Sequence, residues 1–379
     1  MNQDNLYDCA IIGGGLGGLT LAVTLSKNGY RCILFEKEEY PFHKVCGEYI
    51  SMESWDYLTG LGLPLDEMKI PIIKKLVVSA PNGTELKQDL LPGGFGISRY
   101  KIDAALKEIA LASGVTVLEN CKVDDAVFNN GLFSIGTSKG NFKSRVCCGS
   151  FGKRSNIDIK WKRDFIKQPH NKLNNFIAVK YHVEYNGGAD TISLHNFKDG
   201  YCGISKIEDD KYCLCYLTNA ANLKKSNNSI EEMEKNILCQ NPHLENIFLH
   251  STKLYSSPLS ISQISFQQKK AVENHVLMIG DAAGLITPLC GNGMSMAMHA
   301  GKIASFYISE LLEGRTNQDQ MEMAYTTAWK QTFEKRLRTG RIIQRFFGKI
   351  WLTNIFIKTL KLFPSFTNKI IELTHGKPF

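Results

Sequence analysis

An apolar run, Cys9–Ile12, leads directly into Gly13-Gly14-Gly15-Leu16-Gly17-Gly18 and then into the alanine- and leucine-bearing stretch Leu19–Ser26. A second apolar run, Arg31–Phe35, ends on Glu36. Strand, tight turn, helix, strand and acid in that order describe a parallel βαβ unit that holds a dinucleotide. Gly13, Gly15 and Gly18 have the G-x-G-x-x-G spacing. The first allows the turn, the second lets backbone approach a pyrophosphate, and the third lets helix pack on strand. The N-terminus of the helix offers unpaired N–H groups and the positive end of its dipole to phosphate. Glu36, at a strand end, can accept hydrogen bonds from a ribose diol. The cofactor-binding residues expected here are Gly13, Gly15, Leu16, Gly17, Gly18, Glu36 and Lys37.

A second segment narrows the dinucleotide. Val276–Ile279 is an apolar strand that ends in Gly280-Asp281-Ala-Ala-Gly284, and Pro288-Leu-Cys-Gly291-Asn-Gly293-Met294 follows. Asp281 belongs at the C-terminal end of a strand, where open α/β sheets bind ligands. A carboxylate there can bond the ribityl hydroxyls of a flavin. Gly291, Gly293 and Met294 open a helix whose N–H groups can face a ring edge that becomes anionic on reduction, and Pro288 before them is a further cofactor-binding candidate.

With these segments the chain resembles the p-hydroxybenzoate-hydroxylase-like flavoproteins, and within them the geranylgeranyl reductase family. The resemblance rests on the Gly13–Gly18 turn, on Lys44-Val-Cys46-Gly47-Glu48, on Ser98-Arg99-Tyr-Lys-Ile-Asp103 and on Gly280–Gly284, and spans roughly Leu6 to Ile303. It implies FAD as cofactor, with NAD(P)H as the candidate electron donor. It implies an α/β fold: an FAD-binding Rossmann-like domain of glutathione-reductase type, interleaved with an antiparallel β-sheet substrate domain, plus C-terminal helices. The expected division assigns 1–70, 99–158 and 255–330 to FAD binding. The substrate domain takes 71–98 and 159–254, and 331–379 form a basic helical segment. The resemblance also places the Cys46 loop by the active site, Arg99 at the flavin, and the Val123 backbone at the adenine.

Two departures bear on chemistry. Hydroxylases of this fold carry a segment of the form Gly-Ala-Asp-Gly-x-x-Ser-x-x-Arg. Here Phe151 stands for its Asp and Asp158 for its Arg. Direct use of NADPH in the hydroxylase manner is therefore not expected, and Lys153 and Arg154 read as solvated charges. Prenyl reductases usually carry Tyr-x-Trp-x-Phe-Pro, and here the strand is Tyr201-Cys-Gly-Ile-Ser-Lys206, which keeps only the Tyr. The Trp-x-Trp-x-Ile-Pro segment of flavin halogenases is absent. The substrate surface is thus rebuilt.

The remaining chemistry is that of a flavin oxidoreductase acting on a hydrophobic small molecule, lipid, isoprenoid or polyketide-like. Reduction of carbon–carbon double bonds is the first reading. Hydroxylation of an aromatic or polyketide substrate is the alternative, and a non-catalytic, flavin-stabilised membrane-surface binding protein is a third. Cys46 is the candidate catalytic residue, as proton donor or redox partner, with His43 and Lys44 favouring its thiolate. A small residue fitting a tight loop is the competing reading. Arg99 either contacts the flavin or forms an i,i+4 pair with Asp103.

Composition limits the partners. Of 379 residues, 43% are hydrophobic, enough for two cores. The eleven cysteines show no C-x-x-C and no zinc-like spacing, so no metal is expected and the thiols read as reduced, in a cytoplasmic protein. No apolar stretch is long enough to span a bilayer, and the first residues lack a secretory pattern. The net charge of +8 lies entirely in 331–379, where ten Lys/Arg face two acids among many aromatic and aliphatic residues. That interleaving suits either peripheral association with an anionic membrane, at the inner face, through 335–370, or a helical cap packed on the body. It carries too much apolar surface for nucleic acid.

Overall fold

A computed structural model describes residues 6–167, 175–285, 291–346, 349–374 and 376–379. Two sheets organise it. The first has the order Val272–Glu273, Val276–Met278, Gly140–Gly149, Leu6–Ile12, Cys32–Phe35, Thr116–Leu118, with Val123–Asn129 and Leu132–Thr137 added beside Gly140–Gly149. The five strands from Val276–Met278 to Thr116–Leu118 run parallel. Cys9 to Ile12 are all buried, as are Cys32 to Phe35, which is why these strands read as unbroken apolar runs. Both end on the same edge, so the Gly13 turn and Glu36 lie side by side.

The Leu16–Lys27 helix crosses between those strands, with nine of its twelve residues buried. The Gly293–Leu312 helix packs along it at unusually close range. A Cβ on Gly301 would lie 2.9 Å from the Gly17 carbonyl oxygen, and one on Gly17 would lie 2.9 Å from that of Ala297. Two glycines therefore set the separation of these helices.

The second sheet has the order Thr252–Lys253, Phe176–Glu184, Tyr212–Asn219, Gly200–Lys206, Thr191–Phe197, Ile72–Ser79, Glu85–Gly96, Tyr49–Ser51. The pairing is antiparallel except between Thr191–Phe197 and Ile72–Ser79. Tyr49–Ser51 matters most for the site. It begins one residue after Glu48 and pairs with Gly94–Gly96, so the Cys46 loop feeds straight into the second sheet.

Residues facing each other across antiparallel strands share a face. Lys180 opposes Cys215 and His182 opposes Cys213. Further along the same face, Ala178 opposes Leu217, and Leu217 opposes Tyr201. This face is polar at one end and apolar at the other. The apolar end is closed by the Ile350–Leu362 helix, whose Ile357 and Leu360 join Val78, Ala178, Leu194, Tyr201 and Leu217 in one buried cluster. Each such side chain contributes about 1.5–3 kcal/mol when fully buried. Among the described residues, no helix is long and apolar enough to cross a membrane.

Candidate active site

Gly13 has φ +104°, a conformation that favours glycine, and a Cβ there would lie 2.4 Å from the Ser150 carbonyl oxygen. A Cβ on Gly18 would lie 2.2 Å from the Gly13 oxygen. The turn therefore tolerates no side chain at either position. Gly15 differs, since its Cβ would approach only Arg99, at 3.5 Å. It is the N-cap of the Leu16–Lys27 helix, and no side chain caps that end. Leu16 points into the core. An uncapped, glycine-bordered helix start beside a guanidinium is a fit for the pyrophosphate of FAD.

Glu36 is buried and hydrogen-bonded. Its carboxylate accepts the N–H of Gly14 at 2.9 Å, of Lys37 at 2.8 Å and of Glu38 at 3.2 Å. Lys37 contributes only this backbone contact to the loop; its exposed ammonium pairs with Glu38 at 3.3 Å. The Val123 carbonyl accepts the Asn156 side-chain amide at 3.1 Å, so its polar backbone is partly committed within the protein.

Arg99 and Asp103 form the expected i,i+4 pair in bidentate geometry, at 2.8 and 2.7 Å. Asp103 is buried and Arg99 partly so, and Lys44 joins them at 3.0 Å from Asp103 while approaching the Gly14 carbonyl at 3.4 Å. Burial alone would raise the Asp103 pKa, but Arg99 and Lys44 hold it below the usual carboxylate range. Two cations on one carboxylate leave net positive charge beside the phosphate turn.

Asp281 is half-buried in a short 3₁₀ turn, Gly280–Ala282, at the end of its strand. It lines a cleft with Gly280, Gly293, Met296, Trp329 and Phe333. Gly291 has φ +66°, and a Cβ there would strike the Tyr49 ring at 2.9 Å. Gly293 opens the long helix, as the spacing predicts. Pro288 lies outside the described residues.

Cys46 and Met294 come from opposite ends of the nucleotide-binding region, and the thiol donates to the Met294 sulfur at 3.6 Å. The two residues expected at the flavin ring are thus neighbours. The expected electrostatic partners of Cys46 turn elsewhere. Lys44 is bonded to Asp103, and burial, together with the nearby Lys180 charge, lowers the pKa of His43 below 6.5.

The sequence reading missed a buried cluster behind Cys46. Glu48 is fully buried with φ +55°. It accepts the Arg99 N–H at 2.8 Å and bonds His182 Nε2 at 2.6 Å. Lys180 forms an ion pair with the same carboxylate and donates to the Lys44 carbonyl at 3.2 Å. Burial pushes the Glu48 pKa up, but the His182 hydrogen bond and the Lys180 charge outweigh it, and the pKa is lowered. The Cys213 thiol donates to the Cys46 carbonyl at 3.3 Å. Glu48, His182 and Cys213 have ligand-type atoms within 4.8 Å of one another, but Lys180 already supplies the cation there. Lys180 and His182 of the cluster line a cavity of about 210 Å³ together with His43, Tyr255 and Leu259.

Two further residues correct the reading of the altered hydroxylase segment. Asp158 is buried against Arg163 at 2.8 Å, and Arg163 donates to the Ala282 carbonyl at 3.0 Å. An arginine five residues later therefore braces the flavin segment. Lys153 is not a free solvated charge: it donates to the Val45 carbonyl at 3.2 Å, while Lys269 bonds the carbonyls of Lys153 and Asp281 at 2.9 and 2.8 Å. Phe151 packs on the first core, its ring filling the space beside Gly149.

Residues 11–45 match the family of NAD(P)-binding Rossmann-like domains. Conditioned medium factor receptor 1 of Dictyostelium discoideum is 24% identical over 88% of this chain and 69% of its own length. Digeranylgeranylglycerophospholipid reductase of Methanococcus vannielii is 26% identical over 87% of this chain and 84% of its own. The flavin-dependent brominase Bmp2 superposes with TM-score 0.80 at 19% identity, covering 97% of this chain and 93% of that one. A geranylgeranyl bacteriochlorophyll reductase-like protein of Thermoplasma acidophilum superposes at 0.72 and 17% identity, covering 97% and 99%. The two superpositions are likenesses of fold. The chain is thus similar in sequence to a digeranylgeranylglycerophospholipid reductase and in fold to a flavin-dependent brominase and a geranylgeranyl bacteriochlorophyll reductase-like protein.

Proposed function

We propose that the protein is an FAD-dependent reductase that adds hydrogen across a carbon–carbon double bond of a hydrophobic substrate. The observation that carries this reading is the meeting of Cys46 and Met294 over the polar end of the second sheet. Bound FAD supplies the capacity to accept a hydride and pass it on. The protein's residues do the rest. Gly13, Gly15, Gly18 and the uncapped helix hold the pyrophosphate, with Arg99 and Lys44 adding charge. Glu36 is placed for a ribose and Asp281 for the ribityl chain. Cys46 would hold the proton that the substrate receives once FAD is bound. The Glu48–Lys180–His182 cluster fixes the loop that carries it. The cavity of about 210 Å³ beside that cluster, lined by His43, Tyr255 and Leu259, takes the hydrophobic body of the substrate.

NAD(P)H is the candidate donor, and Phe151 argues for a separate reductant partner. Fold likeness to a brominase supports a second reading, in which oxygen takes the electrons. One experiment separates the two. The FAD-loaded protein is reduced anaerobically with NADPH, NADH or dithionite, the flavin band is followed, and oxygen is then admitted. Slow reoxidation by oxygen, accelerated by an apolar alkene, supports the reductase. Fast reoxidation by oxygen with no effect of alkenes defeats it.

A further inference from the structure

The Ile350–Leu362 helix has two apolar faces. Thr353, Ile357 and Leu360 point inward and are buried on the second sheet. Trp351, Ile355, Lys358 and Leu362 follow at the same helical spacing on the opposite side. Trp351 is 66% exposed, Ile355 56% and Leu362 67%. At the corner into the Pro364–Thr374 helix, Phe363 is 58% and Phe366 53% exposed. An amphipathic helix that only caps a body has a polar outer face. This one offers a second apolar stripe with a tryptophan in it.

The charge around the stripe has one sign. Lys349, Lys358, Lys361 and Lys369 are all exposed, and no acidic residue lies between the first and the last of them. In the longer Gln318–Phe346 helix, by contrast, Arg336 is spent on the buried Glu53 at 3.4 Å. Lys369 pairs with Glu372 at 3.0 Å, which leaves Lys349, Lys358 and Lys361 facing solvent beside the stripe, and the exposed Lys335 and Arg338 of the longer helix add to the same sign of charge.

We propose that the outer face of residues 349–369 docks on an anionic lipid bilayer. Aromatic and aliphatic side chains enter the headgroup boundary while lysines meet lipid phosphates, the arrangement of an interfacial helix. The face is too short and too charged to span. The inner face of the same helix packs on the apolar end of the second sheet, which fixes its outer face toward the bilayer. The docking does not rest on the reductase reading.

The test uses the full-length, FAD-loaded chain and flotation with two kinds of vesicle. One is phosphatidylcholine alone and the other contains about one third phosphatidylglycerol. Binding to the anionic vesicles, weakened by salt, is the expected result. Trp351→Ser with Phe366→Ser lowers the partition coefficient at least roughly tenfold. Lys358→Gln with Lys361→Gln flattens the salt dependence. These side chains are exposed, so flavin absorbance and Tm stay at parental values and report folding separately. Leu249→Ser, 75% exposed elsewhere, leaves binding unchanged. Absence of flotation, or equal flotation of the Trp351/Phe366 variant, overturns the proposal. So does a dimer in solution that Trp351→Ser dissolves while vesicles are ignored, since a second copy then covers the face. Protein that floats without retaining FAD sinks the flavin reading and spares the docking; protein that holds FAD but stays off vesicles does the reverse.

Discussion

The Cys46 thiol lies 3.6 Å from the Met294 sulfur, joining the loop after the second strand to the first turn of the long helix. These residues are 248 positions apart, and each is expected at the flavin ring for independent reasons. Their contact would put the Cys46 thiol beside the ring edge. A positioned general acid contributes about 10²–10⁴-fold to a proton transfer. Cys46→Ala therefore retains FAD, takes electrons normally in the anaerobic assay, and reduces substrate at least about 100-fold more slowly. Single-turnover kinetics, with flavin binding measured separately, checks this. A Cys46→Ala protein with parental turnover would leave the thiol as a fitted loop residue only.

The contact of Gly17 with Gly301 makes a second prediction. A methyl at Gly17 would lie 2.8 Å from Ile279 Cγ2 and 2.9 Å from the Ala297 carbonyl oxygen. Backbone cannot move aside as a flexible side chain can, so the helices must separate. Overpacking of this kind costs about 1–3 kcal/mol. Gly17→Ala lowers Tm and weakens FAD binding together, because the displaced helix carries the phosphate site. Gly60→Ala is the control. Nothing lies within 4 Å of a Cβ there, and the residue ends a helix, so stability holds or rises slightly. Thermal melts and flavin titrations of the two variants read this directly.

The nucleotide half was legible because its signals are local. Apolar runs mark the parallel strands, and Gly13 and Gly18 stand at a recognisable spacing, although the backbone that excludes a side chain at Gly13 is the distant Ser150. Asp281 and Gly293 appear where a strand end and a helix start require them. The Glu48 cluster was not legible, because Lys180 and His182 come from a strand more than 130 residues away, chosen by sheet register. Arg163 escaped notice because it stands five residues after the expected position, where it bonds both the buried Asp158 and the Ala282 carbonyl. The C-terminal segment showed its mixture of charge and apolar residues plainly. Which of two apolar stripes faces the sheet depends on the sheet, and could not be read from the helix alone.

Glu48 and Lys180 carry a third prediction. The pair is buried on both sides. Removing one partner leaves an unpaired charge, which costs about 3–5 kcal/mol. Glu48→Gln therefore destabilises strongly and loosens the Cys46 loop. Glu48→Gln combined with Lys180→Met recovers much of the Tm, because no lone charge remains. A double-mutant cycle by denaturant melts measures the coupling, and independent, additive losses would contradict it. The sign with pH follows from the lowered Glu48 pKa: its stabilisation is present above the unfolded carboxylate value of 4.5 and is lost as pH falls through the folded one.

His195 gives the acid limb a different window. The Asn241 amide donates to Ser79 Oγ at 2.9 Å, so the Ser79 hydroxyl is directed at His195 Nδ1, 2.8 Å away. Nδ1 then serves as an acceptor, and a protonated imidazole would break that bond. Burial, with the stacked His243 ring 5.2 Å away, lowers the His195 pKa from 6.5 to about 3. Between those values the unfolded chain binds a proton that the folded chain refuses. Stability from this group is complete above pH 6.5 and declines as pH falls toward about 3, by about 1.4 kcal/mol per pH unit. His299, lowered to about 4 chiefly by burial, acts in the same direction over a narrower range. His195→Asn keeps an acceptor for Ser79 and removes the titration. Its stability at neutral pH is somewhat lower than the parent's, since the ring packing is lost. Its slope from about pH 6 to pH 5 is shallower by about 1.4 kcal/mol per unit. Denaturant melts across that interval decide the matter, and parallel slopes for parent and variant would mean that His195 is already protonated in the fold.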